Sequence, residues 1–167
     1  MGETPDEEKE YYSLTIRAWR AWAPFYDLAS KPFLSRLRDQ VVNLTSAREG
    51  SRVLDVGTGT GEQALAFARR GYDVVGVDLS EDMLRLAKKK NRFANARFKQ
   101  ADATNLPFED GSFEVTCISF VLHDMPLSIG AKVLKEMVSV TDPKGTVVIV
   151  DYGLPKVRLA DSWSITW

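Results

Sequence analysis

The 167-residue chain has one cysteine, one histidine and almost no surplus charge: 22 basic residues stand against 23 acidic ones, a net of -1. Cys117 has no partner for an internal disulfide, and a lone thiol fits a reducing compartment. One His and one Cys are too few for a tetrahedral N/S metal centre, so no metal is expected. Without excess positive charge there is no global field to hold a phosphate backbone, and no nucleic-acid partner is expected. The longest aliphatic run, Val147 to Val150, is far too short to span a bilayer. The opening MGETPDEEKE lacks the basic and apolar regions of a secretory leader, and Asp6 stands where a myristoylation signal needs Ser or Thr. These absences together predict a cytoplasmic protein with no transmembrane segment.

What is present is an ordinary globular composition, 44% hydrophobic and 27% charged, which excludes a disordered or collagen-like chain. Residues 1–46 read as a solvated tail of about a dozen residues followed by a helical cap. Leu14, Ala18, Ala21, Trp22 and Phe25 fall on one helical stripe. After Pro32, Phe33, Leu34, Leu37, Val41 and Leu44 form a second stripe, with Arg36, Arg38 and Asp39 off it. Residues 47–167 form the second part of one structural unit. Strands are predicted at Val53–Val56, Val74–Val77, Ala96–Gln100, Val115–Phe120 and Thr146–Asp151, with helices at Glu62–Arg70, Ser80–Asn91 and Leu127–Val140. This alternation predicts an α/β fold, a Rossmann-like, doubly wound and mostly parallel sheet under an N-terminal helical cap.

Ligands in such sheets sit beyond the carboxyl ends of the strands. Strand 1 runs into Asp55-Val56-Gly57-Thr58-Gly59-Thr60-Gly61, a glycine turn that lets a ligand approach the backbone. Strand 2 ends in Asp78, placed to accept from ribose hydroxyls or to cap the next helix. Strand 3 is followed by Asp102-Ala103, which suits an adenine edge or a simple Asx turn. The spacing is G-x-G-x-G rather than the G-x-G-x-x-G of dinucleotide folds, and Asp55 would repel a pyrophosphate. A phosphate-free nucleoside with an ammonium and a sulfonium, S-adenosylmethionine, fits better.

These segments carry a resemblance. VLDVGTGTGEQALAFARRGYDVVGVDLSEDMLRLA resembles the first two motifs of the class I S-adenosylmethionine-dependent methyltransferases, and QADATNLPFEDGSFEVTCISFVLHDMP resembles the next two blocks. VLKEMVSVTDPKGTVVIVDYGLP resembles their segment through strand 5, and WAPFYDLAS is similar to the cap of members acting on quinones, lipids or small metabolites. The resemblance implies that Asp55, Gly57 and Gly59 hold the methionine end of the cofactor, with Thr58 close by. It implies ribose binding by Asp78 and adenine contacts from Leu79, Asp102 and Ala103. Ser119 and Phe120 would lie beside the sulfonium, and Tyr26 would close over the cofactor. The reaction implied is methyl transfer to a small-molecule or lipid-like acceptor, leaving S-adenosylhomocysteine.

His123 and Asp124, just after strand 4, are the candidate bases for an acceptor that must lose a proton. His123 also reads as a surface residue and Asp124 as a helix cap; a pairing of the two strengthens the catalytic reading. The family continues past strand 5 with a helix and an antiparallel strand pair, for which the sixteen residues from Tyr152 to Trp167 are too few. These C-terminal strands are therefore expected to be shortened or missing, or the chain is a fragment. Trp163, Ile165 and Trp167 alternate as a short strand or open the missing helix. The edge of strand 5 is then expected to be covered by the tail or by a second copy in a homodimer. Two alternatives stand beside methyl transfer: a non-catalytic cofactor-binding module, and a nicotinamide-dependent oxidoreductase, against which the glycine spacing and Asp55 argue.

Overall fold

The computed structural model describes Tyr12 and residues 34–45 and 47–152. The expectations placed on Leu14 to Phe33, Tyr26 included, and on Trp163, Ile165 and Trp167 lie outside the described residues.

Residues 34–43 are helical (α1). Then follow β1 (Arg52–Val56), α2 (Glu62–Arg69), β2 (Asp73–Asp78), α3 (Glu81–Lys90), β3 (Ala96–Gln100), β4 (Phe113–Ser119), α4 (Leu127–Val140) and β5 (Thr141–Val150). The sheet is parallel throughout, in the order β3-β2-β1-β4-β5. Strand alternation distributes the core to two faces. Val53, Val74, Val115 and Cys117 join Val41 and Val42 of α1 and Phe67 of α2. Leu54, Val56, Val77 and Ile118 join Ile129, Val133 and Met137 of α4 on the opposite face. Helices thus cover both sides, as the near-continuous apolar strands require. Among the described residues no helix is long and apolar enough to cross a membrane.

Two boundaries differ from the sequence reading by more than one residue. β4 starts at Phe113, and β5 starts at Thr141 rather than Thr146. Phe113 pairs with Thr141 but Val115 pairs with Thr146, so Asp142-Pro143-Lys144-Gly145 is an irregular insertion within the pairing rather than a turn before it. Periodicity cannot reveal pairing interrupted by a bulge.

The β1–α2 turn is held by a close approach. Gly61 caps α2 at φ +82°, and a Cβ there would lie 2.8 Å from both Ala87 Cβ and Phe98 Cζ. Gly61→Ala combines left-handed strain with overpacking and is expected to cost roughly 2–4 kcal/mol. A urea titration in which the midpoint stays unchanged would refute that placement.

Candidate functional site

The strand order reverses between β1 and β4, and a cleft opens there at the carboxyl ends. It is lined by the loops after β1, β2, β3 and β4 and by Leu34 and Arg38 of α1. Asp55, Gly57, Thr58, Gly59, Asp78, Leu79, Asp102, Ala103, Ser119 and Phe120 all line it. Asp124 also lines it, whereas His123 stands behind Asp124.

Asp55 sits at 1% exposure on the α2 face of β1. Its Oδ2 accepts from Thr58 Oγ1 at 2.6 Å. Burial pushes its carboxyl up from 3.8 to about 7, against the opposing pull of Thr58, the Ala64 N–H and the Arg38 charge. Asp78 joins two loops: Oδ2 accepts from Gly59 N at 2.7 Å and Oδ1 from Ser80 N at 2.8 Å. The helix cap itself is Ser80, whose Oγ accepts from Met83 N at 3.3 Å. Burial raises the Asp78 pKa despite the backbone N–H groups of Ser80, Gly59 and Leu79, which pull it down. Asp102 makes the Asx turn considered from sequence, its Oδ1 accepting from Thr104 N and Thr104 Oγ1, each at 2.8 Å, and it faces the cleft as well.

The donor set can be tested for S-adenosylmethionine. Asp78 Oδ2 accepts from Gly59 N and Oδ1 from Ser80 N, and each oxygen has a second lone pair. Gly59 is at φ +55°, and a Cβ there would meet nothing within 4 Å, which leaves its backbone facing open space. Acids outnumber bases along the walls, which suits a cationic ligand and opposes a pyrophosphate. The residues fit the group.

At the β4 end, Phe120 takes φ +58°, a strained conformation for a non-glycine residue, and its N–H donates to Val150 O at 2.7 Å. The ring lies 5.1 Å from that of Tyr152. A 3₁₀ turn, Leu122–Asp124, follows. Asp124 does not cap α4: Pro126 occupies the N-cap, with no side-chain hydrogen bond there. His123 lies between two carboxylates, with Nδ1 2.7 Å from Asp151 Oδ1 and Nε2 3.4 Å from Asp124 Oδ1. Asp151, whose side chain is 4% exposed, also accepts the His123 backbone N–H at 3.0 Å. Asp151 thus fixes the ring through Nδ1 and leaves Nε2 toward Asp124.

Cys117 has its thiol pushed up by burial and reads as core.

Sequence reasoning missed three residues. Arg38 reads as exposed from its stripe but is 9% exposed and lines the cleft. Tyr12, assigned to the tail, is half-buried, its hydroxyl 3.3 Å from Asp102 Oδ1. Asp151 was taken only as the end of a strand. No local pattern marks any of the three, because each is defined by a partner far along the chain.

Fold and site define a doubly wound domain with an acid-rich cleft at its switch point. Residues 53–145 match the family described as methyltransferase domain, and the chain belongs to that family. A demethylmenaquinone methyltransferase of Paenarthrobacter aurescens is 38% identical over 141 residues, 82% of this chain and 54% of that protein. The Thermus thermophilus protein of the same name is 37% identical over 142 residues, 80% of this chain and 63% of its own. Among solved structures, the YcgJ protein of Bacillus subtilis superposes with a TM-score of 0.63 at 30% identity, covering 68% of this chain and 49% of its own. The chain spans about half the length of the curated relatives it matches.

Proposed function

We propose that this chain binds S-adenosylmethionine in the switch-point cleft and transfers its methyl group to a small, lipid-like acceptor of the quinol class. The observation that carries the reading is the convergence of Asp55, Asp78 and Asp102, from three strands, on one cleft beside the glycine turn. The acceptor class is supported by relatives named demethylmenaquinone methyltransferase.

Bound there, the cofactor supplies a methyl on a sulfonium, whose in-line transfer leaves the electron pair on sulfur and one acceptor proton to remove. Asp78 takes the ribose hydroxyls on its remaining lone pairs. Asp102 and Ala103 border the adenine, with Leu79 against its face. Asp55, Gly57, Thr58 and Gly59 hold the amino-acid end. Ser119 and Phe120 flank the reacting centre, where an aromatic wall suits a charge that disperses during transfer. Asp124 faces the cleft and receives the acceptor proton, with His123 Nε2 behind it as the second base and Asp151 fixing the ring.

The test is a calorimetric titration with S-adenosylmethionine and a reduced nicotinamide, followed by an assay on demethylated quinols with mass identification of product. Expected are binding of the first ligand alone and a product one methyl heavier. His123→Asn is expected to lower kcat by roughly a hundredfold while leaving cofactor affinity nearly unchanged. Tight binding without transfer to any quinol would instead indicate a non-catalytic module or another acceptor class. Preference for the nicotinamide would overturn the cofactor reading.

A further inference from the structure

Among the described residues, Tyr152 is the one aromatic side chain in the set of large hydrophobic residues that stand exposed, with 62% of its surface open. It lies two residues past β5, at the carboxyl edge of the sheet where the cleft opens. A single exposed apolar side chain needs no explanation by itself. Tyr152, however, is built into its place. Its N–H donates to Asp151 Oδ1 at 2.7 Å, and the same oxygen lies 2.7 Å from His123 Nδ1. The Asp151 side chain is 4% exposed. One buried carboxylate therefore sets the backbone of the tyrosine and the ring of the histidine together.

The tyrosine ring is positioned as well. Its centroid lies 5.1 Å from that of Phe120, tilted at 49°, and 5.1 Å from that of His123, nearly perpendicular at 82°. Offset and edge-on contacts of this kind are the favoured aromatic geometries. Phe120 lines the cleft, and His123 stands behind Asp124. The Phe120 N–H bond to Val150 O ties that residue to the strand that leads into Tyr152. An aromatic edge thus runs from the cleft wall to the candidate base, and its most open ring is Tyr152. A tyrosine offers such contact area at low entropic cost, having only two χ angles to fix.

We infer that Tyr152 is a specificity-determining residue, its exposed ring being the platform on which the planar ring of the methyl acceptor stacks. The assignment rests on the methyl-transfer reading and deepens it, selecting a flat aromatic acceptor over an aliphatic one. An acceptor ring laid on Tyr152 is bordered by Phe120 on the cleft side and by His123, with Asp124 next to it, on the side of proton removal. Stacking rewards shared area, so a fused two-ring acceptor is favoured over a single ring.

The experiment is calorimetry on the full 167-residue chain loaded with S-adenosylhomocysteine, which fills the cofactor site without turnover. The probes are unsubstituted naphthohydroquinone and hydroquinone, kept reduced without oxygen. The unmodified chain is expected to bind the two-ring probe roughly tenfold more tightly. Tyr152→Ala and Tyr152→Leu are expected to remove most of that preference, and Tyr152→Phe to keep it. Unchanged affinity for S-adenosylhomocysteine in all three variants checks that the fold persists and that the contact is with the acceptor. A preference retained in Tyr152→Ala and Tyr152→Leu, its loss in Tyr152→Phe, or no preference in the unmodified chain overturns the platform while leaving the methyl-transfer reading intact. Failure of the unmodified chain to take up S-adenosylhomocysteine overturns both.

Discussion

Asp78→Ala is expected to lower affinity for S-adenosylmethionine by at least a hundredfold. Two charge-assisted bonds to the ribose are lost, each worth roughly 1.5–3 kcal/mol. A second loss adds to the first. Asp78 Oδ2 also holds Gly59 N at 2.7 Å, so its removal releases the glycine turn from β2. Asp78→Asn separates the effects, since an amide oxygen still accepts from Gly59 but carries no charge. The asparagine variant is expected to fall between the alanine variant and the unmodified chain. Burial raises the Asp78 pKa, so acidification neutralises the group early and cofactor affinity falls as the pH is lowered. Equal dissociation constants for the three proteins in calorimetry would place the ribose elsewhere.

Asp55→Asn is expected to act in opposite directions on stability and binding. The Asp55 carboxyl titrates at about 7 in the folded chain against an ordinary 3.8, because burial disfavours its charge. Between those values the native state holds more protons than the unfolded state, so stability falls as the pH rises through the window. The contribution present below about pH 4 is lost above about pH 7, and its upper bound is about 4 kcal/mol. An asparagine removes this dependence. The variant is expected to melt higher than the unmodified chain at pH 8, by several degrees for a domain of this size, and to match it more closely at pH 4. Cofactor binding weakens over the same range because a neutral amide does not pair with an ammonium. The paired sign is the check: a variant less stable at pH 8, or one that binds unchanged, contradicts the assigned role. Proton release supplies an independent measurement. A bound ammonium favours the ionised carboxylate, so binding near pH 7 expels protons, read as a dependence of the binding heat on buffer ionisation enthalpy.

A fold that keeps such a carboxylate sacrifices stability at the site. Phe120 at φ +58° belongs to the same pattern. Asp55 and Phe120 line one cleft.

The legibility of the fold follows from how far each signal travels along the chain. β3 and α4 have the bounds read from periodicity, β1 and α2 differ from it by one residue at one end, and β2 and α3 by one residue at each end. Those signals are local: apolar spacing and the glycines after β1 act over a few residues. The acids at Asp55, Asp78 and Asp102 were legible for the same reason, each standing in or just beyond the last residues of a recognisable strand, and the parallel topology brings successive strand ends to one edge. The family was legible because its motifs are these local features in a fixed order.

Tertiary structure alone decided what depends on distant partners. It turned Arg38 inward, because α1 packs Val41 and Val42 against the sheet and presents the preceding turns, with Leu34 and Arg38, to the cleft. It placed Tyr12 on Asp102, 90 residues away, and Asp151 on His123, 28 residues away. It also ordered the acid pair, with Asp124 at the cleft and His123 behind it, which neighbouring positions in a sequence cannot specify. Short-range pattern fixes the elements and the chemistry at their ends. Burial, charge coupling and orientation arise only where separate segments meet, and those quantities govern which of the legible residues are left with unmatched charge.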